Sequence, residues 1–342
     1  MVAMSQRSAP AKPSATLKDV AKLAGVSTAV VSYVVNGGPK NVSPLSEAKV
    51  REAIRMLGYR PNAAARALRS GSAEMLGIVV PDITNPFFAS LAHAVEEAAA
   101  ARGYALTIAN SGHSLAVERR LVENLASRRV DGVFLCSIVA EPDLRDLESA
   151  EIPAVLLSYT GEESDHCSVG VGLEDGGRLA VEHLIGHGHG DIGLIMGSLV
   201  GGVLDGRETG WRAALEDAGL RPGPIMRIPF TREGGYQAGE WFLNATSRPS
   251  AVFVSSDLQA VGFLRALHDS GVQVPSDLAV VSFDGSKEAE YSIPRLTTVA
   301  QPVEEMALAA VEALLGNGGP QHSRTFPVTL IRRASCGCVS ER

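Results

Sequence analysis

The chain has 342 residues, 45% of them hydrophobic and 20% charged, which is too long for one ordinary core and implies two or three soluble domains. No stretch approaches the roughly 20 apolar residues of a membrane span, and residues 1–15 hold no apolar run of signal-peptide length, so the expectation is a cytoplasmic protein with no membrane partner. The net charge of −7 is unevenly divided: residues 1–70 carry five Lys and six Arg against Asp19, Glu47 and Glu52, a net of +8, leaving −15 on the remainder. A basic head on an acidic body points to a polyanion-binding module joined to something that repels the polyanion.

Residues 1–15, rich in Ser, Ala and Pro, read as a disordered lead. Thr16 then stands where it can cap a helix, with Asp19 three residues on as in a capping box, and Leu17, Val20, Ala21, Leu23 and Ala24 fall mainly on one side. Gly25-Val26-Ser27 turns the chain, and Ser27 can cap a second helix from Thr28 to Val35. Ala21 is small where two helices cross closely, Gly25 permits the turn its unusual backbone angles, and Val31 plugs the second helix onto the first. Together these spacings predict a helix-turn-helix within an all-α head spanning 16–60. A brief helical segment, Asn62–Leu68, follows Pro61 and precedes Ser70-Gly71-Ser72, so 61–74 reads as a hinge and linker.

From residue 75 onward, continuous apolar runs alternate with helical stretches. The expected strands are Leu76–Val80, Tyr104–Ala109, Gly132–Cys136, Ala154–Ser158, Ile192–Met196, Ala251–Ser255 and Leu278–Phe283. Helices are expected at Phe87–Arg102, stopped by Gly103 as a C-cap, and at Leu115–Ser127, Arg178–His187, Arg207–Asp217 and Leu258–Ser270. This is the pattern of a parallel sheet covered on both faces. Its irregular spacing and a break around Thr160–Gly172 favour two doubly wound lobes over one closed barrel, and such lobes bind ligands beyond the carboxyl ends of their strands.

Other motifs carry less. Gly188-His-Gly-Asp-Ile-Gly193 matches a dinucleotide fingerprint, but it closes a helix and leads into a strand, the reverse of what that fingerprint requires. His183, His187 and His189 resemble a metal ladder, the first two at i, i+4 helical spacing, but no Glu in the zincin arrangement lies between those two and nothing marks a third ligand, so all three read as surface and helix-end residues. Cys336-Gly337-Cys338 is too tight for the usual zinc spacing and lacks a second nearby pair, so neither metal nor cofactor is expected. Cys136 reads as an apolar strand residue of a protein in a reducing compartment. No nucleophile elbow, phosphate loop or paired catalytic carboxylates suggest an enzyme.

Three segments together resemble the lactose/galactose repressor (LacI/GalR) family of bacterial transcription regulators, over nearly the whole chain from residue 16. They are Leu17–Ser27, then Val31-Ser32 with Val34-Val35-Asn36-Gly37, then Gly58–Leu68. Asn85-Pro86-Phe87-Phe88, Gly188-His189, Arg207 with Gly210, Asp257, Phe283-Asp284 and Leu296–Val299 stand in the same order as in that family. The resemblance implies an all-α helix-turn-helix head and an α/β core, 75–342, of two doubly wound parallel-sheet lobes like a periplasmic binding protein. Lobe one spans about 75–171 and 302–325, and lobe two about 172–301 and 326–342.

It further implies a repressor that binds a pseudo-palindromic DNA operator as a homodimer under a small-molecule effector. Thr28, Ala29, Ser32 and Tyr33 would face the major groove or its edges, with Thr16, Ser27 and Asn36 also at the DNA. In the hinge, Leu68 would wedge into the minor groove, while Asn62, Ala65, Arg66 and Arg69 lie along it. Phe87 or Phe88 would stack on the effector, Arg207 would hold an oxygen or carboxylate, and Asp284 would accept hydroxyl or amine protons. Asn110 and Ser137 stand at strand ends and Phe230 is a second wall; for Asp257, helix capping and ligand contact are both open. Val30 stands where the family commonly has Thr and Tyr33 where it has Arg, so operator preference does not carry over. Gly172 stands where many members have Asp near the crossover between lobes, a departure that bears on a ligand or inter-lobe contact. A periplasmic-type binding protein without DNA function is the alternative, opposed by the basic head and the lack of an export signal.

Overall fold

A computed structural model describes residues 15–36, 42–60, 71–139, 142–158, 166–197, 205–316 and 323–338. Residues 1–14 of the expected lead and residues 61–70 of the expected hinge and linker, with Asn62, Ala65, Arg66, Leu68 and Arg69, lie outside these. The chain divides into two compact units, Met1–Ala73 and Glu74–Arg342.

The first unit contains helices α1 (Leu17–Ala24), α2 (Thr28–Asn36) and α3 (Pro44–Leu57). Thr16 and Asp19 form the reciprocal capping box that starts α1. Gly25 ends that helix at φ 66°, a left-handed angle that glycine adopts without steric cost. Ser27 Oγ accepts the Val30 amide at 3.3 Å and so opens α2. Val20, Val31 and Val50 are fully buried, with Ala21, Ala24 and Ala53 filling the close crossings between helices.

The second unit runs β1 (Met75–Val80), α4 (Pro86–Ala100), β2 (Ala105–Asn110), α5 (Leu115–Ser127), β3 (Gly132–Leu135), α6 (Arg145–Ser149), β4 (Ala154–Leu157) and β5 (Ser168–Val171). It continues with α7 (Leu173–Gly186), β6 (Ile192–Met196), α8 (Gly206–Asp217), β7 (Ile225–Arg227), α9 (Arg232–Asn244), β8 (Ala251–Val254), α10 (Asp257–Asp269) and β9 (Ala279–Asp284). It ends with α11 (Lys287–Tyr291), β10 (Thr297–Ala300), α12 (Val303–Leu315), β11 (Arg324–Phe326) and β12 (Thr329–Ile331).

Two six-stranded sheets result, ordered β11-β5-β4-β3-β1-β2 and β12-β10-β9-β8-β6-β7. Among the described residues only the β10–β12 pair is antiparallel. Central strands are buried along their length, as β3, β6, β8 and β9 show, which is why they read as unbroken apolar runs. The expected break at Thr160–Gly172 is partly strand, because β5 occupies Ser168–Val171 and pairs with β4. Strand β11 runs to Phe326, one residue beyond the expected end of the first lobe. Helix α4 stops at Ala100, and Gly103 supplies the left-handed residue, φ 84°, three positions later. Gly188, φ 90°, turns the end of α7 into β6, so the dinucleotide-like motif is a helix-to-strand turn.

Helix α9 escaped the sequence reading because Gly234, Gly235 and Gly239 depress its helical propensity. The glycines answer to packing instead: a Cβ at Gly235 would lie 1.9 Å from the Gln259 carbonyl of α10, and one at Gly262 of α10 would lie 1.9 Å from the Arg232 carbonyl. The two helices cross backbone to backbone.

Each sheet has one topological switch point, where the chain leaves to one side and returns to the other. In the first sheet it lies between β1 and β3, and in the second between β6 and β8. Crevices of this kind, at the carboxyl ends of the strands, are where open parallel sheets take ligands.

Candidate DNA-reading and effector sites

On α2 the residues Thr28, Ala29, Ser32, Tyr33 and Asn36 recur at helical spacing, forming one stripe, while Val31 faces the head's core. Thr28, Ala29 and Asn36 are exposed, and Ser32 and Tyr33 are half-buried. Asn36 Nδ2 donates to the Ser32 carbonyl at 3.0 Å and to Ser32 Oγ at 3.1 Å, which holds that end of the stripe in one arrangement. Lys18 and Lys22 are exposed on α1. The hydroxyl of Thr16 is engaged by Asp19 Oδ2 at 2.7 Å, and these hydrogen bonds, side chain first, hold the Asp19 carboxyl below its ordinary range.

In the second unit, four of the expected effector residues stand around the switch point of the second sheet. Arg207 opens α8 and forms a fork with Asp205, Nε to Oδ1 at 2.8 Å and Nη2 to Oδ2 at 2.7 Å; the two side chains are only 12% and 21% exposed. Its third nitrogen reaches across the switch point to the Ser255 carbonyl after β8, at 2.6 Å. The guanidinium lies 5.5 Å from the Phe230 ring centroid and 5.3 Å from that of Phe283, within cation–π range of both. Burial raises the Asp205 carboxyl, but the Arg207 charge and hydrogen bonds outweigh it and leave the group below its ordinary value. Burial likewise works against the Arg207 cation, and Asp205 more than restores it.

Asp284 ends β9 with φ 119°, a strained angle for a residue with a side chain. The strain is held by its neighbours: Gln301 N donates to the Asp284 carbonyl at 3.2 Å and Gly285 N to Thr298 Oγ1 at 3.2 Å. Gln301 Nε2 also donates to Asp284 Oδ1 at 3.0 Å. Burial and the nearby Asp257 push the Asp284 carboxyl well above the usual range, against the pull of Arg207 and Gln301.

In the first sheet, Asn110, Ser137 and the Pro81–Phe88 segment gather at the carboxyl ends of β2, β3 and β1. Asn110 Oδ1 accepts the Ile83 amide at 3.1 Å, and Ser137 Oγ donates to Glu118 Oε1 at 2.9 Å. Asn85 caps α4 by accepting the Phe87 amide at 3.1 Å. Phe87 and Phe88 meet edge to face at 5.1 Å, Phe87 buried in the core and Phe88 half-exposed.

The comparisons with known proteins agree with this architecture. Residues 16–62 match the description "Bacterial regulatory proteins, lacI family", and residues 181–336 match a periplasmic binding protein-like domain. Catabolite control protein A of Priestia megaterium is 35% identical, covering 87% of this chain and 91% of its own. The ribose operon repressor of Escherichia coli strain K12 is 36% identical, covering 88% and 92%. The crystal structure of the lac repressor dimer bound to operator and the anti-inducer ONPF superposes with a TM-score of 0.83 at 28% identity, covering 95% of this chain and 99% of that one. The chain belongs to the LacI family of bacterial regulatory proteins. It is a DNA-binding transcription regulator, and its relatives are regulators rather than enzymes. No helix among the described residues is long and apolar enough to cross a membrane.

Within this LacI-family regulator several residues differ from their sequence-based reading. Asp257 is neither the cap of α10 nor a free ligand group. Ser256 caps that helix, accepting the Gln259 amide at 3.2 Å. The buried Asp257 carboxylate instead accepts Ser282 Oγ at 2.5 Å, Thr298 Oγ1 at 2.8 Å and the Ser286 amide at 2.6 Å, tying three segments together. Of the two phenylalanines, Phe88 has the exposure to meet a ligand. Asp205, Gln301 and Glu118 were missed, and Phe283 was read as a strand-end residue beside Asp284 without a role of its own. Asp205, two positions before Arg207 and at the N-cap of α8, offered a local signal. Glu118 did not; its Oε2 is buried with no hydrogen-bond partner among the described residues, and burial raises its carboxyl against the Ser137 hydrogen bond.

The metal reading also changes. The pairs His183/His187 and Cys336/Cys338, which looked unrelated to each other in the sequence, place one ligand atom from each residue within 4.8 Å of one another. His189 stays apart, with Nδ1 3.0 Å from Ser250 Oγ.

The raised Asp284 carboxyl makes stability pH-dependent. The neutral acid is favoured in the folded chain, so its contribution is complete below the unfolded carboxylate range, about pH 4, and is lost as pH rises through the higher folded value. Asp284→Asn stays neutral and keeps an acceptor for Gln301. Melting curves without ligand should therefore show the variant more stable than the parent at neutral pH, with the gap closing toward pH 4. A constant gap across that range would remove Asp284 as its source.

Proposed function

We propose that this LacI-family regulator is a repressor that acts as a homodimer on a pseudo-palindromic operator in the cytoplasm. The α2 stripe Thr28, Ala29, Ser32, Tyr33 and Asn36 enters the major groove, flanked by Thr16 and Ser27, and by Asn62, Ala65, Arg66, Leu68 and Arg69 of the hinge segment. A small polar effector is held at the two switch points, by Arg207, Asp284 and Phe230 from the second sheet and by Phe88, Asn110 and Ser137 from the first. It works by binding and not by catalysis.

The observation that carries the effector reading is Arg207 at the β6/β8 switch point. Its fork is oriented by Asp205 and Ser255, two aromatic rings lie beside it, and the strained, protonation-prone Asp284 is near. Cation, acid and aromatic walls suit a hydroxylated or carboxylated metabolite such as a sugar. A transcriptional regulator CelR in complex with cellobiose, 32% identical, and a LacI family regulator from Enterococcus faecium with bound ribose, 26% identical, support that class. Effector binding changes the relation of the two lobes and so the pairing of the hinge segments on DNA.

Selection of bound sequences from random DNA tests the reader, followed by a ligand screen on the operator found. The parent should enrich an inverted repeat. Tyr33→Arg should move one symmetric pair of positions toward guanine, since an arginine fork reads guanine O6 and N7 with about 1–3 kcal/mol of discrimination. An unchanged consensus would take Tyr33 out of the groove.

A further inference from the structure

We propose that His183, His187, Cys336 and Cys338 form a tetrahedral zinc(II) site that staples the C-terminal segment to the end of α7. His183 lies in the last turn of α7 and His187, four positions on, is its C-cap residue, so both imidazoles stand at the same side of the helix end. Their rings meet at 4.7 Å between centroids. The two cysteines follow β12 with a single glycine between them, and Gly337, φ 92°, takes the left-handed angle that folds this pair tightly against the two imidazoles. That turn makes a one-residue spacing workable where a longer one is usual.

The distances suit an ion. Zinc–sulfur bonds of about 2.3 Å and zinc–nitrogen bonds of about 2.0–2.1 Å set tetrahedral ligand atoms about 3.3–3.8 Å apart. His183 Nε2 lies 3.2 Å from Cys336 Sγ and 3.6 Å from Cys338 Sγ, and His187 Nε2 lies 3.3 Å from Cys338 Sγ. A second layer supports the set. Thr297 Oγ1 accepts the Arg333 amide at 2.8 Å, which leaves its hydroxyl hydrogen to donate to Cys336 Sγ at 2.9 Å, the bond a zinc-bound thiolate takes. The carbonyl end of α7, with its partial negative charge, adds attraction for a cation.

Two sulfur and two nitrogen ligands in tetrahedral reach select zinc over magnesium or calcium, which require oxygen, and four protein ligands make a structural site and not a catalytic one. The staple has a mechanical meaning. The cysteines follow Ser335, whose hydroxyl donates to the Val280 carbonyl of β9 at 2.6 Å and accepts the Thr297 amide of β10 at 2.8 Å. Metal would thus lock the chain's last described turn onto the strand that carries Asp284.

The test uses full-length protein purified without a metal-affinity tag, stripped with chelator and titrated with zinc chloride against a chelating dye. Cobalt(II) serves as the spectroscopic substitute. The parent should bind one zinc per chain, show tetrahedral cobalt bands with thiolate charge transfer, and melt several degrees higher with zinc than in chelator. Cys336 is buried and its replacement risks misfolding, so the variants are His187→Gln, at an exposed position, and Cys338→Ser, at a half-buried one. Each should weaken zinc at least about 100-fold, beyond the loss usual for an outer-shell change, and melt like the parent in chelator. Equal zinc affinity in parent and variants, or cobalt spectra without thiolate bands, would overturn the proposal and leave a hydrogen-bonded cluster of thiols and imidazoles.

Discussion

Arg207→Ala is expected to abolish the effector's control over operator binding while leaving operator binding itself intact. The guanidinium organises otherwise separate groups: the Asp205 carboxylate at the start of α8, the Ser255 carbonyl after β8, and the rings of Phe230 and Phe283. Truncating one member of a buried, hydrogen-bonded charge pair typically costs about 2–5 kcal/mol in affinity, so effector binding should weaken at least about 30-fold. Stability should fall too, because Asp205 loses its counter-charge and Asp284 loses the cation that opposes its protonation. With Asp205 still 21% exposed, about 2–4 kcal/mol is the expected scale. Arg207→Lys should recover little, since an ammonium cannot grip both Asp205 oxygens and reach Ser255 as a fork does. The checks are operator titration by fluorescence anisotropy with and without a ligand from the screen, and melting curves. A folded Arg207→Ala protein with the parent's full effector response would place the effector elsewhere.

Gly177→Ala is expected to destabilise the core and weaken the same response from outside the site. Helical propensity alone predicts the opposite, a gain of about 0.5–1 kcal/mol, because Gly177 lies within α7. Packing reverses the sign. A Cβ at Gly177 would lie 2.3 Å from the Arg207 carbonyl and 2.9 Å from its Cα, and one at Gly210 would lie 2.0 Å from the Glu174 carbonyl, so α7 and α8 touch backbone to backbone. No side chain can swing aside there; α8 itself must move, and it carries Arg207. Overpacking costs of about 1–3 kcal/mol should lower the melting temperature by about 2–8 °C and reduce effector affinity. Gly186→Ala, on the same helix with nothing within 4 Å of the added carbon, is the control and should be neutral or slightly stabilising. If both substitutions shift stability in the same direction, the close approach of α7 and α8 is not what sets these positions.

The parts legible in the sequence share a property. The capping box of Thr16 and Asp19, the left-handed Gly25, the plug Val31 and the buried runs of β1, β3, β6, β8 and β9 all act over a few residues. Their physics is local: a cap needs its acceptor three positions away, and a doubly covered strand needs only to be apolar along its length. Short edge strands such as β7, with three half-buried residues, lack a pattern long enough to read. Helix α9 was hidden by glycines that answer to a neighbouring helix and not to their own.

In the site, the sequence reached Arg207, Asp284 and Phe230 but not what engages them. Asp257 shows the limit most plainly. Its type and place suited a cap or a ligand group, and the fold instead spent its carboxylate on Ser282, Thr298 and Ser286, residues 25, 41 and 29 positions away.

By itself, then, the sequence determined the helix-turn-helix head, the two-lobed α/β core and the family, because caps, turns and buried strands are written in neighbouring residues. Only the tertiary structure decided which side chains meet. Glu118 meets Ser137, 19 positions on, and His183 of α7 comes within 3.6 Å of cysteines 153 and 155 positions on. Contacts at that separation follow from how strands are ordered in a sheet, and strand order leaves no mark in the spacing of residues along the chain.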